Sequence, residues 1–257
     1  MKARRFFLTV VFMLGVMSFS TAAYAEWHFG IGTGLFFLHA EGDEGFHTNI
    51  AGPVELDVDL DPDDFSDLAE SAFGLGGYAT DGTWLIKYSI GVLKLQDDAS
   101  RTLPGGTIVS ADLDYDITAG ELMIGYPVLS GDSFTLRAEG GVRYINHDID
   151  LDVTVNSTPL SRGIDEDWTD ALVGLSLAVP FAEKWSWDSH VNYGFGGSEG
   201  TFGAHTGISW RFFTHWSATL YGKYTAVDFE NGSRGDSDWY LYDVDEYGLG
   251  LSVLFNW

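Results

Sequence analysis

Apolar and polar residues alternate with a period of two along most of this chain. In the last segment, Leu249, Leu251, Val253, Phe255 and Trp257 alternate with smaller or polar residues. Successive side chains of a β-strand point to opposite faces, so this spacing predicts a strand with one apolar face. Two more such segments lie near 68–80 and 111–128, and the others begin at Trp27, Trp84, Phe134, Ala171, Trp185, Phe202 and Trp216. The pattern predicts ten strands, with eight as the alternative.

The faces opposite the apolar ones carry charge, which decides the kind of sheet. A dry sandwich interior built from these faces would have very large desolvation costs. The apolar faces are therefore expected to point outward into lipid, where a sheet with unpaired edges is not tolerated and must close. The predicted fold is all-β, a transmembrane antiparallel up-and-down β-barrel with a polar lumen. Its luminal charge network is expected to comprise Lys87, Glu121, Arg137, Glu139, Arg143, Asp170, Asp188, His190, His205, Arg211, Lys223 and Glu246.

One predicted strand changes phase along its length. The apolar positions at 113–117 are out of step with those at 122–126. A β-bulge near Ala119 or an extension of the strand above the membrane explains the change.

Connection lengths suggest an orientation for the barrel. Short turns are predicted near 129–132, 182–184 and 213–215, and at Asp81-Gly82, a type I′ hairpin signal. Long acidic links are predicted at 41–66, 96–110, 150–166 and 230–243, with one tight exception at 197–200. We expect the short turns to face the periplasm and the long links to face outward.

The first 25 residues have the layout of a secretory signal. Lys2, Arg4 and Arg5 precede an apolar run at 6–17 and the small-residue sequence Ala23-Tyr24-Ala25. This run is shorter than a spanning helix, so residues 1–25 are predicted to be cleaved, leaving 26–257 as one barrel domain. Cleavage changes the formal charge from -25 to -28, which argues against a nucleic-acid partner. The chain has no cysteine, so disulfides and thiolate metal sites are excluded.

Several motifs resemble those of bacterial outer-membrane β-barrel proteins. The final strand, Leu249 to Trp257, looks like the signal read by the barrel-assembly machinery. The stretches "GGVRYINHDIDLDV", "DWTDALVGLSL" and "GFGGSEG" are similar to a largely uncharacterised group of Gram-negative barrels. The resemblance implies the bacterial outer membrane as location. It implies contacts with outer-membrane lipid and lipopolysaccharide, and with periplasmic chaperones during assembly, and it supplies no catalytic residues and no cofactor.

An acidic stretch is a weak candidate for a metal site. Asp57, Asp59, Asp61 and Asp63 offer the several carboxylates that Ca²⁺ or Mg²⁺ prefers. However, Pro62 stands where a calcium loop needs its glycine, and Asp61-Pro62 is typical of the start of a helix ending near Ala69. The helix is the favoured interpretation. Weak cation bridging towards lipopolysaccharide phosphates stays open.

A second feature, Asp188 with His190, resembles the Asp-His pairing of omptin-type outer-membrane proteases. That chemistry needs the pair at the outer rim, whereas Asp188 follows closely after the short turn at 182–184. A lipid A deacylase would need its residues to face lipid, whereas His190 and His205 fall on the luminal face. A protease or lipid-modifying enzyme is therefore the least favoured interpretation.

The luminal charges have two interpretations. Five basic residues face five acidic ones by parity, and even charge suits mutual pairing better than a single-sign permeation path. The favoured function is a non-catalytic barrel with a structural or surface-interaction role and a charge-paired lumen. The alternative is a narrow, porin-like channel for small solutes.

Overall fold

The computed structural model describes residues 26–48, 52–102, 108–155 and 158–257. The predicted signal peptide lies outside these residues. No helix among them is long and apolar enough to cross a membrane. The elements are β1 (His28–Thr48), β2 (Gly52–Leu60), α1 (Pro62–Leu68), β3 (Ala69–Thr80), β4 (Leu85–Thr102), β5 (Ile108–Gly131), β6 (Phe134–Val155), β7 (Thr158–Ala182), β8 (Trp185–Phe195), β9 (Gly200–Phe213), β10 (Trp216–Asn231) and β11 (Tyr240–Asn256).

The strands form a closed antiparallel ring. Each strand from β3 to β11 pairs with the next, and β1 pairs with both β3 and β11. The β1–β11 ladder runs from Gly30↔Asn256 to Phe46↔Tyr240. At its end, Phe29 N donates to Trp257 O at 2.8 Å and Trp257 N donates to Phe29 O at 3.0 Å. Ten strands therefore close the barrel, as predicted, while β2 is an added strand that pairs with β1.

The lower part of the barrel carries an apolar outer band. We call its lower rim, where the chain makes its tight turns, the short-turn end. Trp27, Trp84, Trp185, Trp216 and Trp257 lie exposed near this rim. Aliphatic and aromatic side chains of the strands above them are also exposed, as in the lipid-facing band of a transmembrane barrel.

Above this band most strands continue into what we call the extension, where polarity is reversed. Here the inward side chains form an apolar core that includes Ile149, Trp168, Phe229, Tyr240 and Val244. The outward side chains are largely acidic. The predicted long loops are therefore mostly wrong, because their described residues belong largely to paired strands.

The extension also accounts for the phase change in β5. Its register with β4 and β6 is continuous through Ala119, and the shift within β5 lies between Pro127 and Leu129. The bulge near Ala119 is thus wrong and the extension is right. Residues 113–117 place apolar side chains in the interior of the extension, and residues 122–126 place them on the outer face of the apolar band.

Local chemistry explains two connections. Asp81 N donates to Trp84 O at 3.3 Å, so Gly82, with φ of 86°, is the first central residue of the hairpin. The type I′ signal places Asp81 and Gly82 at the two central positions, whereas here Asp81 lies before the first of them. Helix α1 begins after Asp61 as predicted, and Asp61 N donates to the Asp64 carboxylate at 2.9 Å.

We predict that deleting Trp257 impairs barrel assembly more than Trp257→Ala does. Deletion removes both backbone hydrogen bonds to Phe29, whereas the alanine variant loses only the ring, which stacks on Phe29 at 5.6 Å. The yield of heat-modifiable barrel, measured by electrophoresis without boiling, checks this. Equal yields for the two variants would show that the aromatic ring alone carries the effect.

Candidate functional site in the barrel lumen

The strand register puts the predicted charged residues on the inner face. Directly paired residues of neighbouring strands share a face, and Arg143 lies opposite both Glu121 and Asp170. In the same way, His205 lies opposite both His190 and Lys223. Their contacts include ion pairs, a carboxylate that holds a hairpin, and hydrogen bonds to single neighbours.

Two ion pairs form across the lumen. Lys87 Nζ lies 2.7 Å from Glu139 Oε2. Arg143 donates from Nη2 and Nε to Glu121 Oε2 at 2.8 and 3.1 Å, and its Nη2 also donates to Asn192 Oδ1 at 3.0 Å. Arg143 is buried, so this pair depends on its geometry for compensation of the desolvation cost.

Asp170 serves a different purpose from the charge pairing predicted for it. It is fully buried and accepts hydrogen bonds from Gly197 N at 3.0 Å and Ser198 N at 2.9 Å. The Ser198 hydroxyl donates to its second oxygen at 2.7 Å. This carboxylate therefore tethers the tight hairpin between β8 and β9.

Several of the other predicted network members make separate contacts. Asp188 accepts from Ser209 at 3.4 Å, and Glu246 accepts from Tyr242 Oη at 3.0 Å. Arg211 is exposed at the short-turn end and donates to Glu183 O at 3.0 Å. Among the described residues, the Nε of Arg137 has no hydrogen-bond partner. The single lumen-wide network predicted from parity is thus divided into local groups.

The middle of the lumen holds aromatic and imidazole rings. His190 and His205 stack at 5.6 Å, and Asn192 Nδ2 lies 3.0 Å from His190 Nε2. Tyr221 lies between His205 and Phe36, with ring distances of 5.1 and 6.1 Å. Lys223 Nζ lies 6.0 Å above the Phe36 ring. Lys223 is solvent-exposed and makes no ion pair within the described part of the chain.

A buried polar cluster in the extension was not predicted from sequence. Tyr240 Oη donates to Glu44 Oε1 at 2.8 Å and lies 2.7 Å from His147 Nδ1, which is 2.9 Å from Tyr115 Oη. Burial lowers the pKa of His147 to about 3 and raises the pKa of Glu44. Burial also raises the pKa of Tyr240 far above its usual range. The only sequence signal for this core was the phase change in β5.

The residues considered in the sequence for catalysis and metal binding make separate contacts. Asp188 and His190 bind different partners, Ser209 and Asn192, in the membrane-spanning part of the lumen. Asp57 and Asp59 lie on β2, while Asp61 binds His39 Nδ1 at 2.8 Å. Across the described residues, no group of three or more His, Cys, Asp or Glu side chains is placed to hold a metal ion.

Comparison with known proteins shows the fold and leaves the activity open. No family model and no curated protein matches the chain. The outer membrane protease OmpT from Escherichia coli aligns with 93% of this chain and 100% of that chain, with 10% identity and a TM-score of 0.58. The translocator domain of the autotransporter NalP from Neisseria meningitidis aligns with 99% of this chain and 96% of that chain, with 12% identity and a TM-score of 0.49. At these identities the similarity to OmpT shows an outer-membrane-type β-barrel fold alone.

We predict that Arg143→Ala destabilises the barrel far more than Arg211→Ala. The first change leaves Glu121 uncompensated in the lumen, at a typical cost of about 3–5 kcal/mol. The second removes an exposed contact with a backbone carbonyl, worth about 0–1 kcal/mol. Urea unfolding in detergent micelles measures both variants. Similar unfolding midpoints would show that the lumen around Glu121 is wet.

A second prediction concerns pH and His147. Its pKa is about 3 in the folded chain against an ordinary value of 6.5, so the unfolded chain binds the proton first as pH falls. The stability that neutral His147 contributes is complete above pH 6.5 and is lost between pH 6.5 and 3, by about 3 kcal/mol at pH 4.5. The raised pKa of Glu44 changes stability with pH in the opposite direction. A variant that changes only His147 keeps Glu44, so a comparison with wild type isolates the contribution of His147.

The matched variant for this test is His147→Gln, which keeps a polar side chain and does not titrate. Unfolding free energies of wild type and variant should be measured from pH 7.5 to 4.5. Wild type should lose about 3 kcal/mol more than the variant over this range. Parallel pH profiles would contradict the assignment of a neutral buried His147.

Proposed function

We propose that the chain is a non-catalytic integral protein of the bacterial outer membrane with a structural or surface-interaction role. The short turns would face the periplasm and the extension would lie outside the cell. The apolar band, the closed ladder and the terminal strand that resembles an assembly signal support this proposal. On this view the barrel-assembly machinery and periplasmic chaperones act during biogenesis, and lipopolysaccharide surrounds the finished barrel.

The observation that carries the proposal is the apolar core inside the extension. Trp168 and Phe229 are buried and stack at 4.1 Å, and Tyr240 and Val244 beside them are also buried. Packed side chains leave no continuous water path of the kind that a solute needs. The core would therefore close the barrel axis on the side opposite the short turns.

The outer surface of the extension favours a surface role. Asp43 pairs in register with Asp243 on one side and Asp57 on the other, and Asp148 pairs with Asp116 and Asp165. Carboxylates that lie directly opposite each other destabilise a sheet, so their arrangement here favours a solvated surface rich in counterions. Divalent cations collected there would bridge to lipopolysaccharide phosphates without a dedicated chelating site.

One observation favours the alternative of a narrow channel. Lys223 is exposed within the membrane-spanning lumen, and a Cβ added at Gly74 would meet nothing within 4 Å. The lumen therefore contains open space below the apolar core. A channel would need that space to continue past Trp168 and Phe229.

We predict that the purified barrel gives no stable conductance steps in planar bilayers, because its core blocks the axis. The double variant Trp168→Ala, Phe229→Ala should conduct, since it removes the stacked rings from the core. Trp210→Ala, which changes an exposed ring on the outer face, is the control and should stay silent. Stable steps in wild type would establish the channel in place of the closed barrel.

A further inference from the structure

The wall of the barrel is interrupted in the apolar band. The β1–β3 ladder ends at Thr33↔Leu75, and the β1–β2 ladder starts only at Ala40↔Leu60. Residues 34–39 and 69–74 are all described, and no ladder joins them across this interval. We call the interval between these two stretches the lateral slot. It is six residues, or about 20 Å, long.

The lateral slot lies at the level of lipid acyl chains. Its outward rim residues Leu35, Phe37 and Phe73 are 70%, 58% and 60% exposed. Leu35 and Phe37 pair with Leu251 and Leu249, which are also exposed and apolar. On β1, charged outward residues begin only beyond His39, whereas on the facing rim Ser71 pairs with the outward Lys94 of β4. The lower part of the slot, between Leu35 and Phe73, therefore faces hydrocarbon.

The backbone of β1 is not fully paired at the slot. Phe29 makes both hydrogen bonds with Trp257, so by antiparallel alternation the odd-numbered residues of β1 bond to β11. The even-numbered Phe36 and Leu38 then point their N–H and C=O groups into the slot. Unpaired backbone in a bilayer is costly and is tolerated where it lines a cavity that water or a ligand occupies.

The inner side of the slot opens onto the free space in the lumen. A Cβ added at Gly74 would meet no atom within 4 Å, and one added at the neighbouring Gly91 would meet a single carbonyl oxygen at 3.9 Å. Phe36 contributes the opposite edge, and Lys223 Nζ lies over its ring at 6.0 Å. The lateral slot thus connects lipid with luminal space beside Lys223, which makes no ion pair with any described residue.

We propose that the lateral slot binds a long-chain monocarboxylate taken from the membrane, with its acyl chain between Leu35 and Phe73 and its carboxylate on Lys223. The rim supplies apolar contacts, and the ammonium group of Lys223 favours a head group with one negative charge. The aromatic rings of Phe36 and Tyr221 offer a flat wall for the first part of the chain. This binding goes beyond the proposed function and requires only that the barrel spans a bilayer.

Disulfide formation tests the slot itself. The chain has no cysteine, so engineered pairs are read without background. Thr33 and Leu75 form a non-hydrogen-bonded pair, whose Cα atoms lie about 4.5 Å apart, and Thr33→Cys with Leu75→Cys should oxidise readily. Leu35→Cys with Phe73→Cys is the next such pair if the ladder continued, and it should stay reduced. Equal oxidation of the two folded variants would show a closed wall and overturn the proposal.

Binding of radiolabelled palmitate to the barrel in phosphatidylcholine nanodiscs tests the ligand. Wild type should bind palmitate saturably, and Lys223→Gln should weaken binding at least about tenfold because a charge-assisted hydrogen bond is lost. Lys223→Arg should restore it. Lys94→Gln, which changes a lysine outside the lumen paired with Asp116, should bind like wild type. Hexadecanol, which has no charge, should not distinguish wild type from Lys223→Gln.

Two results would overturn the proposal: no saturable palmitate binding by wild type, or unchanged binding by Lys223→Gln. Failure here is distinguishable from failure of the proposed function. A conducting wild-type barrel that still binds palmitate through Lys223 would refute the closed axis and leave the lateral site standing.

Discussion

Backbone hydrogen bonding in a medium without water is the constraint on which this structure depends. Every N–H and C=O in the apolar band needs a partner from a neighbouring strand or from the luminal side, because lipid offers none. The first and last strands must therefore meet, and the ladder from Gly30↔Asn256 to Phe46↔Tyr240 provides this closure. Once the ring is closed, side-chain parity assigns each residue to lipid or lumen, and the luminal chemistry follows from that assignment.

The same strands are built for two different solvents. On β5, Glu121 points inward and Leu122 outward in the band, whereas Tyr115 points inward and Asp114 outward in the extension. The backbone register does not change between them, so only the choice of side chains reverses the polarity. The extension is consequently a β-structure with an apolar core and a polar outer surface. The band below it has the opposite arrangement, with apolar side chains outside and polar side chains inside. On the proposed function, that core closes the charge-lined tube at one end.

The inward or outward direction of each side chain could be predicted from the sequence, because it is a local property of the strand. The contacts of a side chain depend also on its position along the barrel axis and on the residues of adjacent strands. Arg143 lies opposite Asp170, yet Asp170 is occupied by the amides of a hairpin, and Arg143 binds Glu121 instead. Arg211 has luminal parity but lies at the exposed rim. The cluster of Glu44, Tyr240 and His147 was missed because two of its members lie in stretches whose outward acids are typical of loops. Alternation separates the two faces of a strand but does not tell which face is buried, so the apolar interior of the extension could not be inferred from it alone.

The lateral slot follows from the meeting of these two requirements. Strand β3 begins at Ala69, close to the top of the band, whereas β1 continues to Thr48 in the extension and needs another partner there. Strand β2 is that partner, but α1 lies between β2 and β3 in the chain. Strand β1 therefore leaves β3 after Thr33 and joins β2 at Ala40, with six residues between the two ladders. Below the slot, the Thr33 hydroxyl donates to Gly74 O at 2.6 Å beside the last β1–β3 pair. Above the slot, the Asp61–His39 contact joins the start of α1 to β1. A wall that changes partners inside the bilayer leaves backbone groups facing lipid. Such groups need water or a bound ligand on the luminal side, where Lys223 Nζ lies 6.0 Å above the Phe36 ring.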